Sequence, residues 1–306
     1  MMSLGAFLGS VLSETSPILL AALAAMFTQR ASILNVAVEG MMLVAALASI
    51  AVGEGTGSVT LGILAALAAS LALALVFGGV TILLGADAIV TGLGVNLLAG
   101  GLTVFVLEEV YDSPGGLRPD SFPNLPSLHG HWLSSIPVIG PALQGQSMIV
   151  LASVALVPLC AIFLYCTPVG ASLRAAGEDA HAARAAGISV PRMRLLAMLL
   201  SGAVSGLGGA ELAMDKLHFF LPAMTSGRGF IGLAAMLFGG GTPWGTMLAS
   251  FVFGLAGAAA DRLQMYQVPS EFVLMVPFVA AILGLTATRL RVIARLRPRP
   301  VAKEPP

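Results

Sequence analysis

The chain has 306 residues, no net formal charge, 57% hydrophobic residues, only 10% charged residues and a mean hydropathy of +0.95. An ordinary soluble domain carries about 25% charged residues, so this composition excludes a soluble enzyme or binding module and offers no charge imbalance for nucleic acid. Uncharged runs of about 18 residues or more, enough for a helix to cross about 30 Å of hydrocarbon, recur along it.

Runs such as LGILAALAASLALALVF at 61–77 do not alternate as membrane β-strands must, so the expected fold is all-α. The expected architecture is a polytopic membrane helix bundle of about 8–10 transmembrane segments, half-helix or re-entrant pieces included. The first apolar run, about 4–28, lacks the basic start of a signal peptide and is expected to stay in the mature protein. Ser13, Glu14, Thr15 and Pro17 interrupt it, which predicts a short surface helix leading into a shorter membrane helix. Further segments are expected at about 33–53, 58–84, 86–107, 147–166, 193–214, 228–240, 243–260 and 270–288. The run 228–240 has about 13 residues and at 1.5 Å each cannot cross alone. Residues 1–290 thus form the membrane domain, and 291–306 a basic, Pro-rich cytoplasmic tail.

Most of the 15 basic residues lie at Arg30, in the connection 167–194 and after 288, which the segment count puts on one side of the membrane. The positive-inside rule makes that side cytoplasmic, with the N-terminus and the connection 108–146 outside. Cys160 and Cys166 fall six apart in one apolar run and read as free thiols. Asp87, Glu211, Asp215, Asp261 and Glu271 fall near segment ends, where a wetted carboxylate is ordinary. His129, His131 and His218 decorate external loops, and no metal site is implied.

Two places carry more information. In RASILNVAVEGMM at 30–42, Asn35 and Glu39 are four apart and would share one helix face inside the cytoplasmic edge, with Gly40 allowing close helix approach. A carboxylate at mid-bilayer costs roughly 2.5–3.5 kcal/mol, so Glu39 must find protein or water. Two readings stand: a gate or pathway wall, or a polar staple to Arg30 or to a neighbouring helix. Gly92, Asn96 and Gly100 make a second small, polar stripe, either pathway wall or interhelical contact. Gly202, Gly206 and Ala210 make a third, read as packing. The stretch TSGRGFIGL, with Gly229 and Phe230, echoes the first, as discontinuous helices in inverted repeats would, with half-helix ends at the pathway. The second place is TPVGASLRAAGEDAHAARAAGISVPRMR at 167–194. Gly177 and Gly187 bracket EDAHAARAA, acidic first and basic later, as a helix macrodipole favours. Its alanine faces lack the bulky side chains that seat a helix in lipid, so docking against a protein is expected.

TPVGASLRAAGEDAHAARAAGI resembles the cytoplasmic coupling segment of permease subunits of bacterial ABC importers, in the branch serving branched-chain amino acids, ribose-like sugars and nucleosides. RASILNVAVEGMMLVAAL is similar to that branch's Asn-x-x-x-Glu-Gly motif. SGRGFIGLAAMLFGGGTPWG and VPSEFVLMVPFVAAIL resemble its nucleoside and simple-sugar members. GGTPWG departs from the polar or basic residue and Asn-Pro usual after LFG, which bears on the substrate subgroup. The resemblance implies a permease in the bacterial cytoplasmic (inner) membrane that moves a nucleoside or simple sugar inward. It implies partnership with a separate ABC ATPase subunit, a second permease chain, an extracytoplasmic binding lipoprotein or periplasmic protein, and membrane lipids. No cofactor is expected on this chain: no G-x-x-x-x-G-K-[ST] loop occurs, so ATP would be used by the partner. Arg174, Gly177, Glu178, Ala183, Arg184 and Gly187 are the expected coupling residues. Asn35, Glu39, Gly40, Asn96, Gly229 and Phe230 are the pathway or gate candidates. An ion-coupled secondary transporter would explain the helices but not the long 167–194 connection. An intramembrane protease would need a nucleophile with a base, or an acid pair, within the membrane.

Overall fold

The computed structural model describes residues 4–113, 115–119, 125–128 and 139–264. The segment expected at 270–288, the tail, His129, His131 and Glu271 lie outside them. The described residues form eleven helices: α1 (Leu4–Arg30), α2 (Val38–Thr56), α3 (Val59–Gly78), α4 (Ala88–Tyr111), α5 (Ile139–Leu143), α6 (Met148–Cys166), α7 (Pro168–Glu178), α8 (Ala180–Ala185), α9 (Val190–Glu211), α10 (Arg228–Phe238) and α11 (Pro243–Gln264). Helices α3 and α9 each run on into a π turn, Gly79–Leu83 and Leu212–Leu217. Seven of these helices are long and apolar enough to span a membrane, whereas α10, with 11 residues, is not. The only extended pairings among the described residues are isolated bridges, Leu117 to Phe220 and Ser127 to Ser147.

The expectation for the first segment is wrong. Helix α1 is continuous through Pro17 and is the central element, in contact with α5, α6, α9, α10 and α11. In its most apolar window 83% of residues are buried, against 22% in α4. Pro17 removes one helical hydrogen bond, but ending the helix inside an apolar bundle would orphan several donors and acceptors at once. Continuing costs less. The interrupting polar residues are used instead: Ser13 donates to Gln146 Oε1 at 2.9 Å, and Thr15 returns its hydroxyl to the Val11 carbonyl.

Small residues set the helix spacings. Gly202 lies against Ala74 and Leu71, Gly206 against Ala66, Leu67 and Ser70, and Gly209 against the Met42 backbone, so α9 seats closely on α3 and α2. The third stripe is therefore packing, as expected. On the outer side α3 and α4 expose Leu61, Leu64, Leu75, Leu93, Leu97 and Leu98, an apolar surface suited to lipid.

Candidate functional site

The chain breaks its helical course between α1 and α2. Ile33 N–H donates back to the Thr28 carbonyl, and residues 31–37 then run without helix to Val38. Asn35 therefore precedes α2 and does not share a helix face with Glu39, contrary to expectation. Its amide serves the break instead: Oδ1 accepts from Ala37 N at 2.9 Å, and Nδ2 donates to Ser201 Oγ on α9 at 2.9 Å. Asn96 on α4 serves it from the other side, accepting from Gly40 N at 2.8 Å and donating to the Val36 carbonyl at 3.0 Å. Gly40 can approach this closely only because it lacks a side chain: a Cβ there would meet Asn96 Oδ1 at 2.8 Å. Gly92 likewise abuts Val36, whereas Gly100 faces open space. Non-helical backbone is tolerated at membrane depth only where protein supplies such partners.

The second break comes before α10. Gly227, its N-cap residue, has φ +79° and offers no side chain. The cap comes from Glu39 in the first turn of α2. Oε1 accepts from Thr225 Oγ1 at 2.6 Å and from Gly227 N at 2.8 Å, and Oε2 accepts from Gly229 N at 2.7 Å. One carboxylate thus stands at the positive ends of two helices, an arrangement worth up to about 2 kcal/mol per helix in partly buried settings. Gly229 is required at this contact, since a Cβ would sit 2.7 Å from Glu39 Cα and N. Arg228 forms an ion pair with Glu14 of α1 at 3.6 Å, and Phe230 projects outward, 41% exposed. Of the six pathway candidates, five converge on this junction and Phe230 lies beside it.

Arg30 is not the partner of Glu39. Its Nε donates to the Gly241 carbonyl at 2.7 Å and its Nη2 to Tyr165 Oη at 3.3 Å. Glu39 is bonded to a neighbouring helix, the other half of the staple reading.

The connection 167–194 holds two helices where one was expected. Thr167 caps α7, accepting from Gly170 N, and Pro168 follows at its start. Glu178 ends α7, while Asp179 opens α8, accepting from His181 N at 2.8 Å and Ala182 N at 3.0 Å. Those two N–H groups hold the Asp179 carboxyl below its ordinary pKa, with smaller help from His181 and Arg184. Arg184 Nη2 lies 3.2 Å from His181 Nδ1. The six coupling candidates divide. Glu178, Arg184 and Gly187 are exposed. Ala183 is buried in a small cluster with Ala176 and Val190. Arg174 donates to the Leu164 carbonyl at 3.0 Å and lies over the Tyr165 ring, and Gly177 packs on the Arg30 carbonyl. The first three face outward, and the last three bind the segment to the bundle.

Glu211 was misplaced by sequence reasoning. It is fully buried, and its Oε2 accepts from Ser16 Oγ at 2.9 Å, with Ser153 Oγ 2.9 Å from the same hydroxyl. The span ends at Asp215, one residue from the expected end, so Glu211 is near a segment end as expected, but it is covered by protein and not wetted. Cys160 and Cys166 are free, the first buried and the second exposed.

A bundle that holds two helix N-termini on polar side chains in its interior, with a helical connection folded under one end, defines a multi-pass transport subunit of the cytoplasmic (inner) membrane. Residues 7–286 match the family described as branched-chain amino acid transport system / permease component, and the chain belongs to it as a permease subunit. It is 31% identical over 294 residues to the guanosine ABC transporter permease protein NupQ of Bacillus subtilis, with 90% of each chain covered. It is 34% identical over 291 residues to the nucleoside ABC transporter permease protein NupC of Lactococcus lactis subsp. cremoris, again with 90% of each covered. To the putative glucose ABC transporter permease protein TsgC13 of Haloferax volcanii it is 33% identical, over 84% of this chain and 77% of that one. No solved structure matches.

Proposed function

We propose that this permease carries a nucleoside, or failing that a simple sugar, inward across the cytoplasmic membrane, driven by ATP that a separate ABC ATPase subunit hydrolyses. The observation that carries the reading is likeness over nine-tenths of the chain to proteins named for guanosine and nucleoside transport. The named glucose permease keeps simple sugars as the second substrate class. On this reading the chain binds no cofactor of its own. It pairs with a second permease, most simply a different chain, and receives substrate from an extracytoplasmic lipoprotein or periplasmic binding protein.

The exposed face of α7 and α8, with Glu178, Arg184 and Gly187, is the surface offered to the ATPase. Arg174 and Gly177 transmit its displacement by anchoring that face to α6 and α1, and Ala183 by packing α8 on α7 and the start of α9. The pathway runs past Asn35, Glu39, Gly40, Asn96, Gly229 and Phe230, where the two helix N-termini meet. A half-helix held by one carboxylate is a suitable gate, because one set of bonds governs its position.

The test is uptake of tritiated guanosine, and in parallel of glucose, into proteoliposomes that hold the permease complex with its ATPase. ATP-dependent uptake abolished by vanadate is expected. Uptake driven by an ion gradient without ATP would replace this reading with the secondary transporter.

A further inference from the structure

Helix α10 is gripped at both ends by residues from one short segment. Glu39 accepts the N–H groups at its start, at 2.7 and 2.8 Å. Arg30 donates to the Gly241 carbonyl, three residues past its end, at 2.7 Å. The anion stands at the positive pole of the helix and the cation beyond its negative pole, so both grips agree with the macrodipole. Between Arg30 and Glu39 lies the non-helical link, pinned by Asn35 to α9 and by Asn96 to α4.

The Arg30 end of this clamp touches the cytoplasmic segment directly. Gly177, at the end of α7, packs on the Arg30 carbonyl and on Ala31 so closely that no Cβ would fit. Arg174 of α7 stacks on the Tyr165 ring, whose hydroxyl accepts from Arg30. A displacement of α7 therefore reaches Arg30 by two routes, backbone contact and the Tyr165 side chain. Interiors are close-packed, so such contacts pass displacement on.

We infer that Arg30 is the positioning residue that converts movement of the α7–α8 segment into movement of α10, which Glu39 and Arg30 carry as one rigid piece. This rests on the importer reading, in which that segment meets the ATPase. The role differs from a merely structural one because it concerns how hydrolysis and α10 position are linked, not whether the chain folds.

The test uses the complete complex in proteoliposomes. Cys160 and Cys166 are replaced by Ala and Ser, and the exposed Ser226, just before α10, by Cys. Maleimide labelling of Ser226→Cys is timed without nucleotide and after trapping with ATP and vanadate. With Arg30 in place the labelling rate is expected to change by about 5-fold or more between the two states. In Arg30→Gln the change is expected to shrink below about 2-fold while ATP hydrolysis continues, and Arg30→Lys should restore an intermediate response. A full response in Arg30→Gln overturns the inference. If that variant does not assemble, Tyr165→Phe decides: it removes one hydroxyl, a reduced response is expected, and an undiminished one overturns the inference. If the parent shows no nucleotide response although its uptake is ATP-driven, the inference alone falls. If uptake is not ATP-driven, the importer reading falls first.

Discussion

Two short helices, α8 and α10, are each capped by a carboxylate that accepts two backbone N–H groups, and the two caps have opposite meanings. Asp179 caps α8 from the adjacent position in the chain, at 2.8 and 3.0 Å, at an exposed site. Glu39 caps α10 from 188 and 190 residues away, at 2.8 and 2.7 Å, in a half-buried one. Water can replace a lost acceptor at the first helix. At the second, an abandoned N–H faces protein and costs about 1–3 kcal/mol. A local cap makes a helix that forms where it stands, whereas a long-range cap makes the position of one helix depend on another.

The comparison breaks most sharply at Gly229. Gly229→Ala places a Cβ 2.7 Å from the Glu39 backbone and carboxylate. Overpacking and loss of the cap act together, and we expect a destabilisation of at least about 3 kcal/mol. Uptake should fall below about a tenth, with both effects measured on protein purified in detergent and then reconstituted. Wild-type melting temperature in Gly229→Ala would show that α10 is not seated on Glu39.

Glu39→Gln sharpens it with less violence. The amide keeps shape but turns an NH2 toward a donor, so either Gly229 alone or Thr225 and Gly227 together lose their acceptor. The expected cost is about 1–3 kcal/mol, seen as a melting temperature lower by roughly 3–10 °C. A stability change near zero would place the carboxylate in water rather than on the helix.

How far these two regions could be read in the sequence follows from the same distinction. Asp179, Arg184 and Gly187 announce a short helix because those signals lie within ten residues, whereas α7 escapes that reading and takes in Gly177 and Glu178. Spans were likewise legible, since they depend on composition and length. What reasoning along the chain lacked was depth. Asn35 and Glu39 look like neighbours on a face if the spacing is helical, and nothing local reveals that the chain runs without helix from 31 to 37. Thr225 and Gly227 carry no mark of their distant partner. Pro17 was read as a breaker because local propensity favours stopping, and the surrounding bundle overrides it. Glu211 defeats the reading for another reason: nearness to a segment end does not tell whether water or protein covers a side chain, and here protein does.

Gly187 tests the outward face. It has φ +81° and nothing within 4 Å of where a Cβ would stand, so Gly187→Trp costs only about 1–2 kcal/mol of backbone strain in the fold while filling the space offered to a partner. Insertion into membranes should be normal, ATP hydrolysis should persist, and uptake should fall about tenfold or more. Gly187→Asn, which tolerates positive φ, serves as the control and should transport. Equal uptake in both variants would refute a partner at this face.

The smallest effect belongs to Asp179. In Asp179→Ala the N–H groups of His181 and Ala182 lose their acceptor but remain open to water, so α8 should fray without loss of the bundle. Amide exchange at those two positions should quicken, with the melting temperature of the whole protein unchanged. The same cap is sensitive to acid. Because its pKa is lowered in the folded chain, Asp179 contributes its full share above the ordinary carboxylate value of about 3.9, and the share disappears as pH falls through the lowered value. Exchange at His181 and Ala182 should therefore stay slowed by the cap at neutral and mildly acidic pH, and rise toward that of Asp179→Ala only as pH falls through the lowered value. Rapid exchange at neutral pH in the unaltered chain would mean that α8 is formed by its partner rather than by its own N-cap, and the contrast with α10 would vanish.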